Sequence, residues 1–356
     1  MINWMDNFNI YGIDGGRVGR MSNGIYAGVS WADLVVDPDA TAGGSYVLAS
    51  TNTNFSSVRK VMPNPRTTMG AAARFWLSAL PSATREATYF TFADVSVFPH
   101  IAVNVDPSGY FRVYRADTGA LLGSSANPVI LANAWQHVEA KVFIDVGAIG
   151  TVEIRVEGIT VVNIVGVRTA SAAGGSAPSV QNVLLLGGSG NYGATTYVKD
   201  YIIWDSTTGF NNNFMGSCQV YKIIPNGDVA LNWTPSSGVT GFNLINEVTP
   251  DDDVNYISAP APGIPAAYKC SLSDLPVTVT SVRGVMPIHR SRKTDGGDGN
   301  IQLGAISGAS TGLGADRPIT TAYTYWYDVF DTDPATAGAW TRVSVNAMNL
   351  QLNRTL

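Results

Sequence analysis

Apolar and polar residues alternate with a period of two through much of the first half of the chain. Ile101-Ala102-Val103-Asn104-Val105, Tyr110-Phe111-Arg112-Val113-Tyr114 and Thr151-Val152-Glu153-Ile154-Arg155-Val156 each gather apolar side chains on one face, the pattern of half-buried antiparallel strands. Turn formers separate them. Asp106-Pro107-Ser108-Gly109, Asp117-Thr118-Gly119 and Glu157-Gly158 supply the preset or positive φ that hairpin connections require. Short strands at this spacing predict a sandwich or barrel. The alternation returns in Val277–Arg283, Ile301–Ala305, Ala322–Tyr327 and Arg342–Ala347, which predicts a second β domain from about Pro276 to the end. Ser206–Asn213 reads as a polar, turn-rich link and Ser258–Pro265 as an extended, proline-dense connection. The expected organisation is therefore a domain over 1–208 and a smaller one over 209–356, the latter entered through an extended linker at about 209–275.

Composition supports an all-β chain. With 37 Gly and 18 Pro among 356 residues, few long windows escape a helix breaker. Hydrophobic residues reach 45% and charged residues only 14%, which is too apolar for disorder and too sparsely charged for long solvated helical faces. At this length two cores are the natural expectation.

Charge and cysteine usage remove several function classes. A formal net charge of -5 leaves no broad cationic surface for nucleic acid. The one basic cluster, His289-Arg290-Ser291-Arg292-Lys293, reads as a solvated strand end running into a glycine-rich turn. No apolar stretch approaches membrane-spanning length, and Met1–Asn7 lacks the start of a secretion signal, so the chain is expected to be made and kept in the cytosol until something else releases it. Cys218 and Cys270 are expected to be reduced and buried. His100, His137 and His289 stand far apart, and no zinc spacing is present. No cofactor is expected.

Three passages carry a resemblance. Ala134-Trp135-Gln136-His137-Val138-Glu139-Ala140-Lys141, the strand Val152–Gly158 and the returning Tyr197-Val198-Lys199-Asp200-Tyr201-Ile202-Ile203-Trp204-Asp205 together resemble the concanavalin-A-like or laminin-G-like jelly roll of many lectins and phage structural proteins. That resemblance implies an N-terminal jelly-roll sandwich, with Trp135 filling space between its two sheets. The second half resembles the carboxyl-terminal part of a group of phage virion proteins, through Phe214-Met215-Gly216, Ile223–Asp228, Trp233–Ser236, Asn246–Ile257 and Phe330–Thr341. It implies a C-terminal β-sandwich domain and a structural component of a tailed-bacteriophage particle (tail fibre, tail tip or head surface), assembled in the host cytoplasm. Such a subunit would self-associate and attach to other virion proteins. The alternative is a receptor-binding adhesin whose jelly roll grips a bacterial surface glycan.

Candidate chemistry is sparse. Hydrolysis of a glycosidic bond needs two facing carboxylates; Glu153 and Glu157 have even spacing on one strand but read as its solvated face. No Gly-x-Ser-x-Gly elbow occurs, and the chain is expected not to be an enzyme. Asp251 and Asp253 in Asp251-Asp252-Asp253, and Asp295 and Asp298 in the following glycine-rich loop, are candidate calcium ligands outweighed by an ordinary turn role. Tyr192, Asn191 and His100 are the candidate carbohydrate contacts, the last beside Phe98, because a loop ring can stack on a sugar while an amide or imidazole bonds its hydroxyls. Tyr323, Tyr325, Trp326 and Tyr327 put rings on both faces of one strand, one for the core and one available to a neighbouring subunit.

Overall fold

A computed structural model describes the chain except residues 13–15, 24, 31, 37–45, 51–55, 83–84, 173–176, 189–193, 239, 248 and 261–266. Two compact units emerge. The first contains β1 (Ile2–Asp6), β2 (Gly28–Ser30), β3 (Ala32–Val36), β4 (Tyr46–Ser50), β5 (Ser56–Arg66), β6 (Thr68–Leu77), β7 (Ala87–Ala93), β8 (Pro99–Val105), β9 (Phe111–Arg115), β10 (Ala120–Ser124), β11 (Gln136–Phe143), β12 (Gly150–Val156), β13 (Ile159–Val167), β14 (Val180–Gly188) and β15 (Thr196–Asp205), with one short helix, α1 (Arg17–Ser22). Two antiparallel sheets result. One runs β13-β12-β11-β6-β15-β4-β3 with β1 added beside β15, and the other runs β10-β9-β8-β7-β14-β5-β2.

The alternation read in the sequence decides which side chains face inward. On β6, Met69, Ala71, Ala73, Phe75 and Leu77 are buried, and Phe75 crosses to the other sheet to stack on Tyr89 at 3.8 Å and meet Phe90 edge-on at 5.3 Å. A register shift between Thr88 and Phe90 explains how consecutive rings reach the same core, because a bulge inserts a residue and breaks the alternation. Tyr201 likewise points inward and donates to Val183 O across the sandwich. Trp4, Phe8 and Tyr11 at the amino terminus are all fully buried in the chain's own cores.

The second unit contains β16 (Pro225–Ala230), β17 (Thr234–Pro235), β18 (Ile257–Ser258), β19 (Tyr268–Leu272), β20 (Ile288–Ser291), β21 (Asn300–Ser307), β22 (Ser310–Pro318), β23 (Thr324–Tyr327) and β24 (Asn349–Arg354), with the short helix α2 (Arg342–Asn346). Its main sheet runs β16-β19-β24-β21-β22, and β17-β18 and β20-β23 form separate ribbons. Trp340, Val345, Met348, Leu272, Leu275 and Ala305 pack on one side; Trp233, Tyr268, Cys270 and Ile301 form a second cluster.

The all-β class is as expected, and four details of organisation differ. The division falls after Val220 instead of near 208. The expected linker contains β16 and β19; Pro225 opens β16, an edge strand, a place where a missing N–H costs no ladder bond. Val277–Arg283 forms no strand, and Val277 is 83% exposed. Arg342–Asn346 is helical because Thr341 and Ser344 close a capping box that satisfies the first free amides.

Candidate functional site

On the outer face of the first unit's larger sheet, residues opposite in phase to the core stand in rows set by strand register. Lys141 pairs with Gly70, Gly70 with Trp204, and His137 with Arg74, which pairs in turn with Lys199. Half of this face is roofed by the segment from Asn211 to Val220, which runs against β11. Lys141 Nζ donates to Asn213 at 3.0 Å. The Phe214 ring lies 3.9 Å from the Arg155 guanidinium and 6.2 Å from the Trp204 ring. Met215 N donates to Glu139 Oε1 at 2.8 Å, Arg74 Nη2 to Ser217 Oγ at 2.8 Å, and Val220 N to Asp200 Oδ1 at 2.9 Å. Asn7 Nδ2 ties down Val220 O at 3.0 Å. A register shift after Lys199, with Asp200 at φ 56, turns this carboxylate out toward Arg74 and the segment while Tyr201 stays inside.

Burial sets the protonation of this face. His137 is fully buried, its Nε2 3.7 Å from Cys218 Sγ; loss of hydration, and then the nearby Arg74 charge, lower its pKa to about 4. Burial pushes the Glu157 carboxyl up, but hydrogen bonds from His137 N and Ser217, with the Arg74 charge, bring it below its ordinary value. An imidazole that refuses a proton in the folded state, while the unfolded chain accepts one near 6.5, makes stability fall as pH drops from about 6.5 toward 4. His137→Gln should flatten that part of a urea-midpoint against pH curve, and an unchanged slope would place the acid sensitivity elsewhere.

Beyond the row of His137, Arg74 and Lys199 lies an aromatic row. Trp76 on β6 is the register partner of Tyr197 on β15, and their rings meet edge-on at 5.0 Å. Trp135 precedes Gln136, the partner of Phe75, and its ring lies 4.0 Å below the Lys199 ammonium. All three rings are half-buried. Trp135 was expected between the sheets; it stands outside them, on the same face as Lys199, because Phe75 and the rings of β7 already fill the interior.

The other expected residues are distributed as follows. Tyr192 and Asn191 lie outside the described residues. His100 is corrected from sugar contact to structural post: it is fully buried, its Nε2 is 2.9 Å from Ala177 O, and its Nδ1 accepts from Ser171 N. Glu153 binds Arg155 and Thr160, whereas Glu157 turns to His137 N, so the two carboxylates face no common site. The calcium candidates are spent separately. Asp251 caps Asn255 N, Asp253 pairs with Arg292 and Tyr323, Asp295 caps Gly297 N, and Asp298 is exposed; no cluster able to hold a metal occurs among the described residues.

The rings proposed for assembly are also engaged at home. Tyr325 is buried against Tyr11 at 5.9 Å, Tyr323 lies 4.9 Å from the Arg290 and 5.2 Å from the Arg292 guanidinium, and Trp326 is 5.9 Å from that of Arg317. Burial pushes the Tyr327 phenol up to about 12. The basic cluster is solvated only past the end of β20: both His289 ring nitrogens are buried and Arg290 makes a forked pair with Asp252, whereas Arg292, paired with Asp253, and Lys293 lie at the surface. Both cysteines are free, Cys270 buried and Cys218 half-buried.

No protein-family model matches the sequence, and no curated protein matches it. Solved structures of similar fold exist. Endo-β-1,4-glucuronan lyase from the fungus Trichoderma reesei is 13% identical, with 57% of this chain and 95% of that one covered at a TM-score of 0.40. The marine alginate lyase of Aplysia kurodai is 8% identical, with 57% and 99% covered at 0.41. These likenesses concern the β-sandwich alone. The expectation that the chain is not an enzyme does not stand beside these polysaccharide-lyase neighbours; at such identity they assign no activity, and lack of a glycosidase motif excludes no catalysis.

Proposed function

We propose that the chain is a structural subunit of a tailed-bacteriophage virion, working by self-association and attachment to other particle proteins. The residue runs Phe214–Gly216, Asn246–Ile257 and Phe330–Thr341 support the particle context through their resemblance to virion proteins. The observation that carries assembly is the edge strand β13. It ends its sheet, and its sequence Ile159-Thr160-Val161-Val162-Asn163-Ile164-Val165-Gly166-Val167 holds no charge and no proline. Ile159 is 70% and Val165 65% exposed, and Leu121 on the neighbouring edge strand β10 is also exposed.

Proteins that remain single blunt such edges with lysine, proline or a covering loop. An apolar edge of this length, free of lysine and proline though bulged opposite Ile154/Arg155 and near Gly166, matches a strand that pairs with another subunit, and an uncharged strand is compatible with antiparallel pairing to its own copy. The purified chain should therefore scatter light as an oligomer. Val165→Lys should convert it to a monomer without lowering its melting temperature, since the side chain is exposed. A wild-type monomer, or a lysine variant of unchanged mass, would count against edge pairing.

A further inference from the structure

We infer that the row Trp135, Trp76 and Tyr197 on the outer face of the larger sheet is a binding platform for a glycan, a chain of pyranose units lying across β11, β6 and β15. Adjacent strands are about 4.8 Å apart, so rings on three neighbouring strands span about 10 Å at one level, enough for more than a single sugar ring. Trp76 and Tyr197 are register partners with centroids 5.0 Å apart, and the Lys199 contact fixes Trp135 on the same face.

The contrast within this one face supports a ligand. Its other part also carries a large ring, Trp204, but there the chain lays Phe214 against it, leaving Trp204 1% exposed. The segment makes its contact with His137 through Cys218 and ends its run at Asp200 through Val220, and the three rings next to that row stay half-exposed. Among the described residues, the chain thus covers the Trp204 part of this sheet with its own segment and leaves the three rings beside the His137 row half-buried.

The chemistry of the row selects the occupant. Aromatic faces pack against the C–H faces of a pyranose, whose rim of hydroxyls needs hydrogen-bond donors beside the rings. Lys199 and Arg74 occupy the adjacent row. Arg74 is already held by Asp200 at 3.5 Å and by Ser217, which positions its fork, and the Lys199 ammonium sits over Trp135. A purely apolar partner would gain nothing from that cationic margin. The site is separate from the β13 edge, so failure of either reading leaves the other standing.

The test is a titration of the full chain with neutral β-glucan oligosaccharides and with uronic-acid oligosaccharides, followed by tryptophan fluorescence and calorimetry. Saturable binding is expected, weakened about tenfold or more by Trp76→Ala and by Tyr197→Ala, a loss of about 1.4 kcal/mol each. Phe98→Ala, in a loop of the opposite sheet, should bind as the wild type does. Should Trp76→Ala fail to fold, Trp76→Phe, which keeps a smaller ring, and Tyr197→Ala carry the test. The proposal is overturned if no oligosaccharide binds, if folded platform variants bind unchanged, or if only the acidic sugars bind and moderate salt abolishes it regardless of the rings, since that would be bare charge attraction.

Discussion

Replacing Gly70 with alanine is expected to lower the melting temperature of the first unit by about 3–10 °C, corresponding to about 1–3 kcal/mol of overpacking. Gly70 lies on the outward phase of β6, opposite Trp204. The Trp204 indole lies so close to Gly70 that an added Cβ would clash with its Cε2, Cζ2 and Nε1. Trp204 has little freedom to withdraw, being 1% exposed and edge-on to Phe214 at 6.2 Å. The strain therefore passes into the covering segment, which Met215, Ser217 and Val220 pin to the sheet. Combining Gly70→Ala with Trp204→Phe should recover part of the loss, and the recovered fraction measures the coupling of the pair. Thermal melts of the three variants decide the matter; additive losses, or none for Gly70→Ala alone, would contradict this packing.

The same face shows what sequence could and could not reveal. The even-spaced residues of β6, β11 and β15 were legible as strands because alternation is a local property. What lies outside those strands was not legible, since covering Trp204 requires Phe214, just past the polar link Ser206–Asn213, to fold back onto the sheet. Trp135 was assigned to the interior because a large ring usually dominates burial, yet interior volume was already taken by Phe75, Tyr89 and Phe90. The aromatic row was equally hidden. Trp76 and Tyr197 are more than a hundred residues apart in sequence, and only the β6–β15 register makes them neighbours. A signal existed in that both occupy the outward phase of strands whose inward phase is apolar, but no single strand carries enough rings to announce a platform.

His100 and Asp253 failed as site residues for a shared reason. Each is a polar group whose partners come from remote segments, Ala177 and Ser179 for the imidazole, Arg292 and Tyr323 for the carboxylate. A loop composition rich in Asp, Gly or His cannot distinguish a group awaiting a ligand from one satisfied by the fold. Unmatched polarity is decided by tertiary contacts, whereas the β class is decided by periodicity, so the class was legible and the engagement of His100 and Asp253 was not.

Stability is expected to rise as pH increases from about 7 toward 10, and Lys60→Met should flatten that rise while stabilising the protein at pH 7. Lys60 shares its phase on β5 with buried Val58 and Met62, is 2% exposed, and holds its ammonium 3.6 Å from the centroid of the Trp4 ring. Burial lowers its pKa to about 7 against the partial opposition of Asp6. Between about 7 and 10.5 the unfolded chain thus holds a proton that the folded chain has released, and stability increases with pH wherever the unfolded state binds more protons. Each unit of the difference is worth about 1.4 kcal/mol, so the total is on the order of several kcal/mol. Asp6 is not stranded when the amine is removed, because Tyr26 Oη donates to it at 2.8 Å and Phe8 N at 2.7 Å. The rise must end near pH 10. Burial, and then the Asp6 charge, raise the Tyr26 phenol well above its ordinary value, so in stronger base the unfolded tyrosine ionises first and stability declines. Urea midpoints of wild type and Lys60→Met at pH 7, 8, 9 and 10 test this directly. A flat wild-type profile, or a variant with the same slope, would show that the lysine keeps its proton inside the sandwich, held by the Trp4 ring and Asp6 strongly enough to offset the loss of water.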